Sequence, residues 1–388
     1  MSNDGKIVPL HPKKRGPLKK ILALLAAVLV VCGVVALVLF GKNLNTDALR
    51  RWVRYWNLGS QEGTGLFQFD AHNSNRYANY NGGLAVASVG GLSTYQSDGQ
   101  EAVISQAQLA MPQIESCSPL VMAYDVGGNT LLAVSSRGGE LLRVTTERAI
   151  LDASLSQGGS ICYVAGESGY KSVLTVYNSS QECVYRWLSS TTYMPLCAIS
   201  ADGTRLASVG LDQADGSFKS TLNLFRIDRE QIERTVDLGP ELVYDLRYLG
   251  DDTLCAIGET DVQFYTADGE AAGTYVYNDC YLKDFDAGGD GFLVLSLNMY
   301  RAGNRYSLVT VDEAGQELGT VYVGQEILSL SACGKYVAIL TPEGLSVYDR
   351  GLELYAQTAD VGSATSVLMR RDGSVLLLGG GEGHLYIP

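Results

Sequence analysis

From about residue 80 to its C terminus the chain repeats one phrase: a turn of Gly, Asp or Asn, a short apolar strand, a second turn, and a strand that often ends in an aromatic residue. One copy runs Gly82-Gly83-Leu84-Ala85-Val86-Ala87-Ser88 and then Gly91-Leu92-Ser93-Thr94-Tyr95; another runs Lys335-Tyr336-Val337-Ala338-Ile339-Leu340 and then Leu345-Ser346-Val347-Tyr348. With Gly83, Gly128, Gly159, Gly203, Asp252, Gly291, Gly334 and Gly373 as markers, the spacings are 45, 31, 44, 49, 39, 43 and 39, a mean of about 41. Four-stranded propeller blades recur every ~40–45 residues, and no segment of the repeating region carries a helical period. The expectation is an all-β propeller over residues 66–388. Eight markers predict eight blades; because the spacing of 31 between the second and third markers is short for a blade, one outer strand is expected to be missing there, and seven blades is the alternative.

The first strand of each unit is expected before its marker, as in Leu120–Tyr124, Val243–Tyr248 and Ile327–Leu330. The chain ends on Leu385-Tyr386-Ile387, a third strand with no fourth behind it, whereas Leu66–Asp70 is a strand without a unit of its own. Joining the two closes the ring and protects its edges.

Upstream, Ile21–Phe40 is a run of twenty residues with no charge and no strong polarity. At ~1.5 Å per helical residue it spans the ~30 Å core of a bilayer. Residues 1–20 carry six basic side chains against Asp4, and the positive-inside rule then leaves this tail in the cytoplasm and the propeller outside. Lys42, Arg50, Arg51 and Arg54 follow closely and reduce the asymmetry. A cleaved signal peptide is the rival reading, but its apolar core would be only ~7–15 residues, and no small-x-small site follows Phe40. The expected organisation is therefore a basic tail (1–20), a transmembrane signal anchor (21–40), a juxtamembrane helix and linker (41–65) and the propeller (66–388). In the third part Leu49, Trp52, Val53 and Trp56 make one apolar face behind the cap Thr46. Trp52 and Trp56 with Arg50, Arg51 and Arg54 are the expected membrane-interface residues, packing on the neighbouring domain being the alternative.

The basic tail, the single span, the Trp-containing segment, Phe69-Asp70, Gly83–Ser88 and the repeated Tyr-containing strands together resemble an uncharacterised domain-of-unknown-function family of membrane-anchored propellers from clostridial Firmicutes. The resemblance implies a fold and a location but no activity. More distantly the repeats resemble WD-repeat and quinoprotein-like propellers, although the Trp-Asp dipeptide is absent and Trp187 is the only tryptophan of the ring. No quinone or other cofactor is expected.

Charge and residue inventory restrict the chemistry. The chain carries −13, the tail +5 and the span nothing, which leaves −18 for residues 41–388 and argues against a nucleic-acid partner. After the span only His72 and His384 occur, neither in a ligand spacing, so neither a zinc site nor a Ser-His-Asp set is expected. Asp284 and Asp286 form a carboxylate pair on one strand face, and Asp212, Asp215 and Asp251-Asp252 lie in loops without a calcium-loop spacing. Gly379-Gly380-Gly381-Glu382-Gly383 reads as a turn between strands. Seven cysteines follow the span with no CxxC, and an odd number cannot all pair internally. Cys162, Cys197 and Cys255 sit in apolar strands as small hydrophobes. The 23 tyrosines suit both strand packing and recognition. Tyr77, Tyr80, Tyr275, Tyr277 and Tyr281, with His384 toward the channel, are the candidate binding face, and ordinary strand packing is the competing reading. The functional expectation is a binding or scaffold module for an envelope protein or cell-wall polymer; the alternative is a carbohydrate-active hydrolase or lyase working at the channel.

Overall fold

The computed structural model describes residues 66–388, apart from 215, 216 and 251, together with Val28, Asp47 and Arg51. Asp47 and Arg51 are helical and buried. Apart from Val28, the span Ile21–Phe40 lies outside the described residues, as do the interface residues Arg50, Trp52, Arg54 and Trp56. Among the described residues no helix is long and apolar enough to cross a membrane.

Residues 66–388 fold into eight four-stranded antiparallel sheets, the blades of one propeller. In seven of them the strands pair in chain order, as Arg76–Tyr80, Gly83–Ser88, Gly91–Tyr95 and Glu101–Gln106 do in blade 1. The middle strands are buried on both faces and read as continuous apolar runs: every residue of Leu120–Asp125 and of Phe292–Asn298 is buried. Outer strands alternate, as in Ala271–Val276, because one face meets solvent.

The eight-blade reading holds, and blades 2 and 3 both have an outer strand, Gly139–Thr145 and Cys183–Ser189. The short spacing of 31 arose from a misplaced marker. Leu120–Asp125 is the second strand of blade 2, not the first, so Gly128 follows that second strand. The turn equivalent to the other markers is Ser118–Pro119, which has no glycine for the eye to find. Elsewhere the marker glycine is demanded by geometry: Gly203 has φ +73°, and a Cβ there would lie 2.5 Å from Ser160 Oγ.

Closure follows the expected route. Phe67–Gln68 is the outer strand of blade 8, with Phe67 opposite Gly383 and Gln68 opposite Glu382. The Phe69 N–H extends the ladder to Gly381 O at 2.9 Å. Gly380 and Gly381, with φ of 60° and 84°, make the two-residue turn that sets this register. Phe67 is fully buried and packs with Leu84, Val86, Tyr95, Leu376 and Leu378, so its ring joins blade 8 to blade 1.

The first strand of each blade is the innermost, and the first strands of successive blades lie side by side around the axis. They are Arg76–Tyr80, Pro112–Cys117, Ile150–Leu155, Tyr193–Ile199, Val243–Leu249, Tyr281–Gly289, Ser329–Cys333 and Ser366–Met369. Each has one backbone edge without a strand partner, and the groups on that edge must find hydrogen bonds elsewhere. Side chains of the neighbouring blade supply them. The N–H of Leu155 donates to Glu115 at 2.7 Å, that of Cys197 to Asp152 at 2.9 Å, that of Ala332 to Asp286 at 2.9 Å and that of Met369 to Ser331 Oγ at 3.0 Å. Across the seam between blades 8 and 1, Asn79 Nδ2 donates to Met369 O at 2.7 Å.

Closure rests on Phe67, so Phe67→Ala is expected to lower unfolding free energy by about 3–5 kcal/mol in a urea titration of the whole chain, with Phe67→Leu costing far less. Equal stability of the Ala variant and the parent would show that the seam does not hold the ring.

Candidate functional site

Four inner strands place charged side chains around the axis. Blade 2 contributes Glu115, blade 3 Asp152, blade 5 Asp245 and Arg247, and blade 6 Asp284 and Asp286. Glu115 and Arg247 are 132 residues apart and three blades apart around the ring, yet they form an ion pair. The same guanidinium binds Asp245 through Nε at 2.9 Å. Arg247 therefore crosses the middle of the ring, with 33% of its side chain still accessible to water.

The acids are held mainly by backbone and by this one cation. Glu115 gives one oxygen to Arg247 and the other to the Leu155 N–H. Asp152 accepts from the Tyr124 hydroxyl at 3.0 Å and from the Cys197 N–H at 2.9 Å. Asp286 accepts from the Gly288 N–H at 2.6 Å and the Ala332 N–H at 2.9 Å. Every oxygen of these three carboxylates is engaged, which is the arrangement of a structural tie rather than of a free acid-base pair. Asp284 is different: it is exposed, and one oxygen accepts from the Phe285 N–H at 2.9 Å.

Burial sets the protonation of the group. It pushes Asp152 up to about 7, with Asp245 and Glu115 adding to the rise against the pull of Arg247. Asp284 is open to water yet has enough protein around it for desolvation to push it up to about 6, and the Asp286 charge contributes. Glu115 and Asp286 are also raised by burial, in opposition to Arg247. Burial pulls Arg247 down, but Asp245, Glu115 and Asp152 outweigh it and hold the guanidinium above its ordinary value.

The sequence-selected binding residues do not converge. Tyr80 and Tyr277 are core side chains, at 3% and 2% exposure, whose hydroxyls donate to Pro119 O and Gly258 O. Tyr77 packs on Phe69 at 5.4 Å and lines a concave surface with His72 and Asn75. Tyr275, on an outer strand, donates to Glu317 at 3.1 Å. His384 lies on the third strand of blade 8, opposite Leu377, and so does not line the channel; it sits 3.3 Å from Glu382. Only Tyr281 is exposed on a loop face, with the Arg301 guanidinium 5.4 Å from its ring centroid. Asp284 and Asp286, chosen as a pair, do lie together on an inner strand. Glu115 and Arg247 were missed, although a charged residue inside each of several first strands, recurring at the blade interval, was a usable signal. All seven described cysteines are unpaired, with Cys162, Cys197 and Cys255 buried as small hydrophobes and Cys183 exposed.

The two ends of the ring differ. At the end where inner strands begin and second strands finish, Met111, Tyr170, Phe218, Tyr244, Met299 and Tyr300 are exposed. At the opposite end, ion pairs cover the turns, among them Arg205–Asp268, Arg229–Glu233 and Arg371–Asp290.

Asp152 gives this cluster a measurable sign. Its folded-state value lies above the ordinary 3.8, so the folded chain binds more protons than the unfolded chain between about pH 4 and 7. Stability contributed by this carboxyl is present below that window and declines as pH rises through it, by at most about 1.4 kcal/mol per pH unit. Asp152→Asn keeps partners for Tyr124 and Cys197 and is expected to reduce the slope of stability against pH by about one proton; an unchanged slope in urea titrations would refute the assignment. Arg247→Met leaves the acids without their cation and is expected to cost about 3–5 kcal/mol at pH 7.

Comparison with solved structures returns matches of low sequence identity. The C-terminal WD40 domain of Sif2 superposes with a TM-score of 0.58 at 12% identity, covering 84% of this chain and 98% of that domain. The WD40 repeats of RRP9 (TM-score 0.49, 12% identity, 71% of this chain and 88% of that one) are also similar. So is Kuenenia stuttgartiensis hydrazine synthase (TM-score 0.47, 12% identity, 71% and 94%). At such identities the Sif2 match supports the fold alone. No curated protein matches the sequence. Residues 61–369 match the family of unknown function DUF5711, and the chain belongs to that family.

Proposed function

We propose that this protein is a binding and scaffolding module: a propeller tethered by its N-terminal apolar segment, displayed outside the cytoplasmic membrane, and offering one loop face to an envelope protein or polymer. The observation that carries the reading is the asymmetry of the ring, with exposed aromatic and apolar side chains at one end and charge-paired turns at the other. Large apolar side chains exposed together on one face of a folded domain mark an interaction surface. The inner acids are committed to holding blades, which weighs against the rival hydrolase or lyase at the channel. Support for the location comes from the basic residues 1–20 ahead of the apolar run.

Location is tested through Cys183, an exposed thiol. In intact cells producing the full chain, a membrane-impermeant maleimide is expected to label the parent and not Cys183→Ser; labelling only after permeabilisation would place the propeller inside. Binding is tested with a photo-crosslinking residue in living cells. At Met111 or Tyr244 it is expected to trap one reproducible adduct, and at Arg371 none; the same adduct from all three positions, or from none, would remove the scaffold reading. The rival enzyme is tested by incubation with purified envelope glycans, where turnover abolished by Asp284→Asn would favour catalysis.

A further inference from the structure

The loop Met299–Arg305, between the second and third strands of blade 6, is built for presentation. Its seven residues are all exposed, yet its shape is fixed from below. Asn298, fully buried, donates to Gly303 O at 2.6 Å and accepts from the Tyr300 N–H at 3.0 Å. The Met299 N–H closes the loop on Arg305 O at 3.2 Å, and Lys283 Nζ on the adjoining inner strand donates to Arg301 O at 2.7 Å. A loop fixed before a partner arrives spends little ordering entropy on binding.

What the loop carries is unusual for this domain. Met299 and Tyr300 are 45% and 50% exposed, and Tyr281 of the same blade and Leu242 and Tyr244 at the start of blade 5 are exposed at the same end of the ring. Arg301 stands over the Tyr281 ring, 5.4 Å from its centroid, and its charge is felt at Tyr244 across the blade boundary. Arg301, Arg305 and Lys283 pair with no carboxylate among the described residues, whereas Arg143, Arg186, Arg205, Arg226, Arg234 and Arg371 all do. Arg76, Arg137, Arg148, Lys171 and Arg350 likewise pair with no carboxylate among the described residues, but here three such cations gather on one loop and the strand beneath it, next to exposed tyrosines, in a region that carries −18 overall. Glu241 and Glu259 flank Tyr244 on the blade 5 side, and Glu241 is occupied by the N–H and hydroxyl of Thr260. The positive potential is therefore confined to the blade 6 side of the patch.

We infer that this patch, formed by Tyr244, Tyr281, Met299, Tyr300, Arg301 and Arg305, docks an acidic peptide segment of a partner protein that also carries a large apolar side chain. Tyr, Met and Arg are the residues enriched in the buried centres of protein interfaces, and an unpaired guanidinium stacked on an aromatic ring takes a carboxylate in a bidentate grip. Met299 gives flexible aliphatic contact, which suits an apolar peptide side chain better than a sugar face. The glutamates beside Tyr244 repel acid from blade 5 and so set the direction in which the peptide lies.

This rests on the binding-module reading, and its test is separable from that one. A displayed library of random 12-residue peptides is selected against the full-length protein in detergent micelles, with empty micelles as the counter-selection. Enriched peptides are expected to carry net negative charge and at least one Phe, Trp, Leu or Met. A synthetic copy of the best one is expected to lose about tenfold or more in affinity to R301E/R305E, and severalfold to Y300A. It is expected to bind R371E, altered on the opposite face, as it binds the parent, and to bind more weakly in high salt. Matching circular dichroism and thermal melts of the variants confirm that they are folded. The inference falls if nothing is enriched over micelles, if the enriched peptides are neutral or basic, or if R301E/R305E binds them unchanged. It also falls if poly(glycerol phosphate) displaces the peptide and binds Y300A as well as the parent, which would assign the patch to an anionic polymer. Any of these results alongside a specific crosslink at Met111 leaves the scaffold reading intact and removes only this patch.

Discussion

Eight strands arranged around an axis each leave one row of backbone N–H and C=O groups without a strand to pair with, and the interior of the ring is organised by how those groups are satisfied. The answer is local and repeated. Glu115, Asp152, Asp286, Ser329 and Ser331 each accept from the first strand of the following blade, so every such blade is indexed to its neighbour by a side chain rather than by a sheet. Carboxylates used in this way must be buried, and burial raises them. One guanidinium, Arg247, then reaches from blade 5 to Glu115 on blade 2 and offsets part of the accumulated charge. The channel acids are thus explained as components of the ring before any chemistry is asked of them.

With the inside committed, the distinguishing features move outward. The charge-paired turns at one end use short Asp-Gly and Ser-containing connections, of which Asp202 is representative: it accepts from Ser200 Oγ at 2.6 Å and from the Thr204 N–H at 3.0 Å. Such turns are complete in themselves. The opposite end holds the longer connections, including Met299–Arg305, and the side chains there remain open.

Much of the architecture was legible because the blade repeat is written in strand pattern and turn residues at once. Marker turns, six with a glycine and one with Asp252, located seven of eight blades, and the unmatched strands at the two ends announced the closure. Blade 2 was misread for a definable reason: its marker turn is Ser118–Pro119, and a search for glycine slid along to Gly128, one strand too far. The site was much less legible. Tyr80 and Tyr277 look like recognition residues in a one-dimensional reading, but their hydroxyls reach backbone carbonyls that only the packed ring brings near. The Glu115–Arg247 contact joins blades separated by two others, and no local pattern encodes it. Tyr281 was found without Arg301, which lies on the loop after the second strand of its blade and reaches the ring only in the folded sheet.

The closing strand is two residues long and stands at the start of the described domain, immediately after the segment that leads from the N terminus. Any tension arriving along that segment enters the fold at Phe67 and Gln68, the place where the toroid is joined by noncovalent bonds alone. The propeller is in that sense wired like a buckle: the strand that closes it also receives the chain from the N terminus, and any load passed along that chain is limited by how firmly one phenyl ring is seated between the first and last blades.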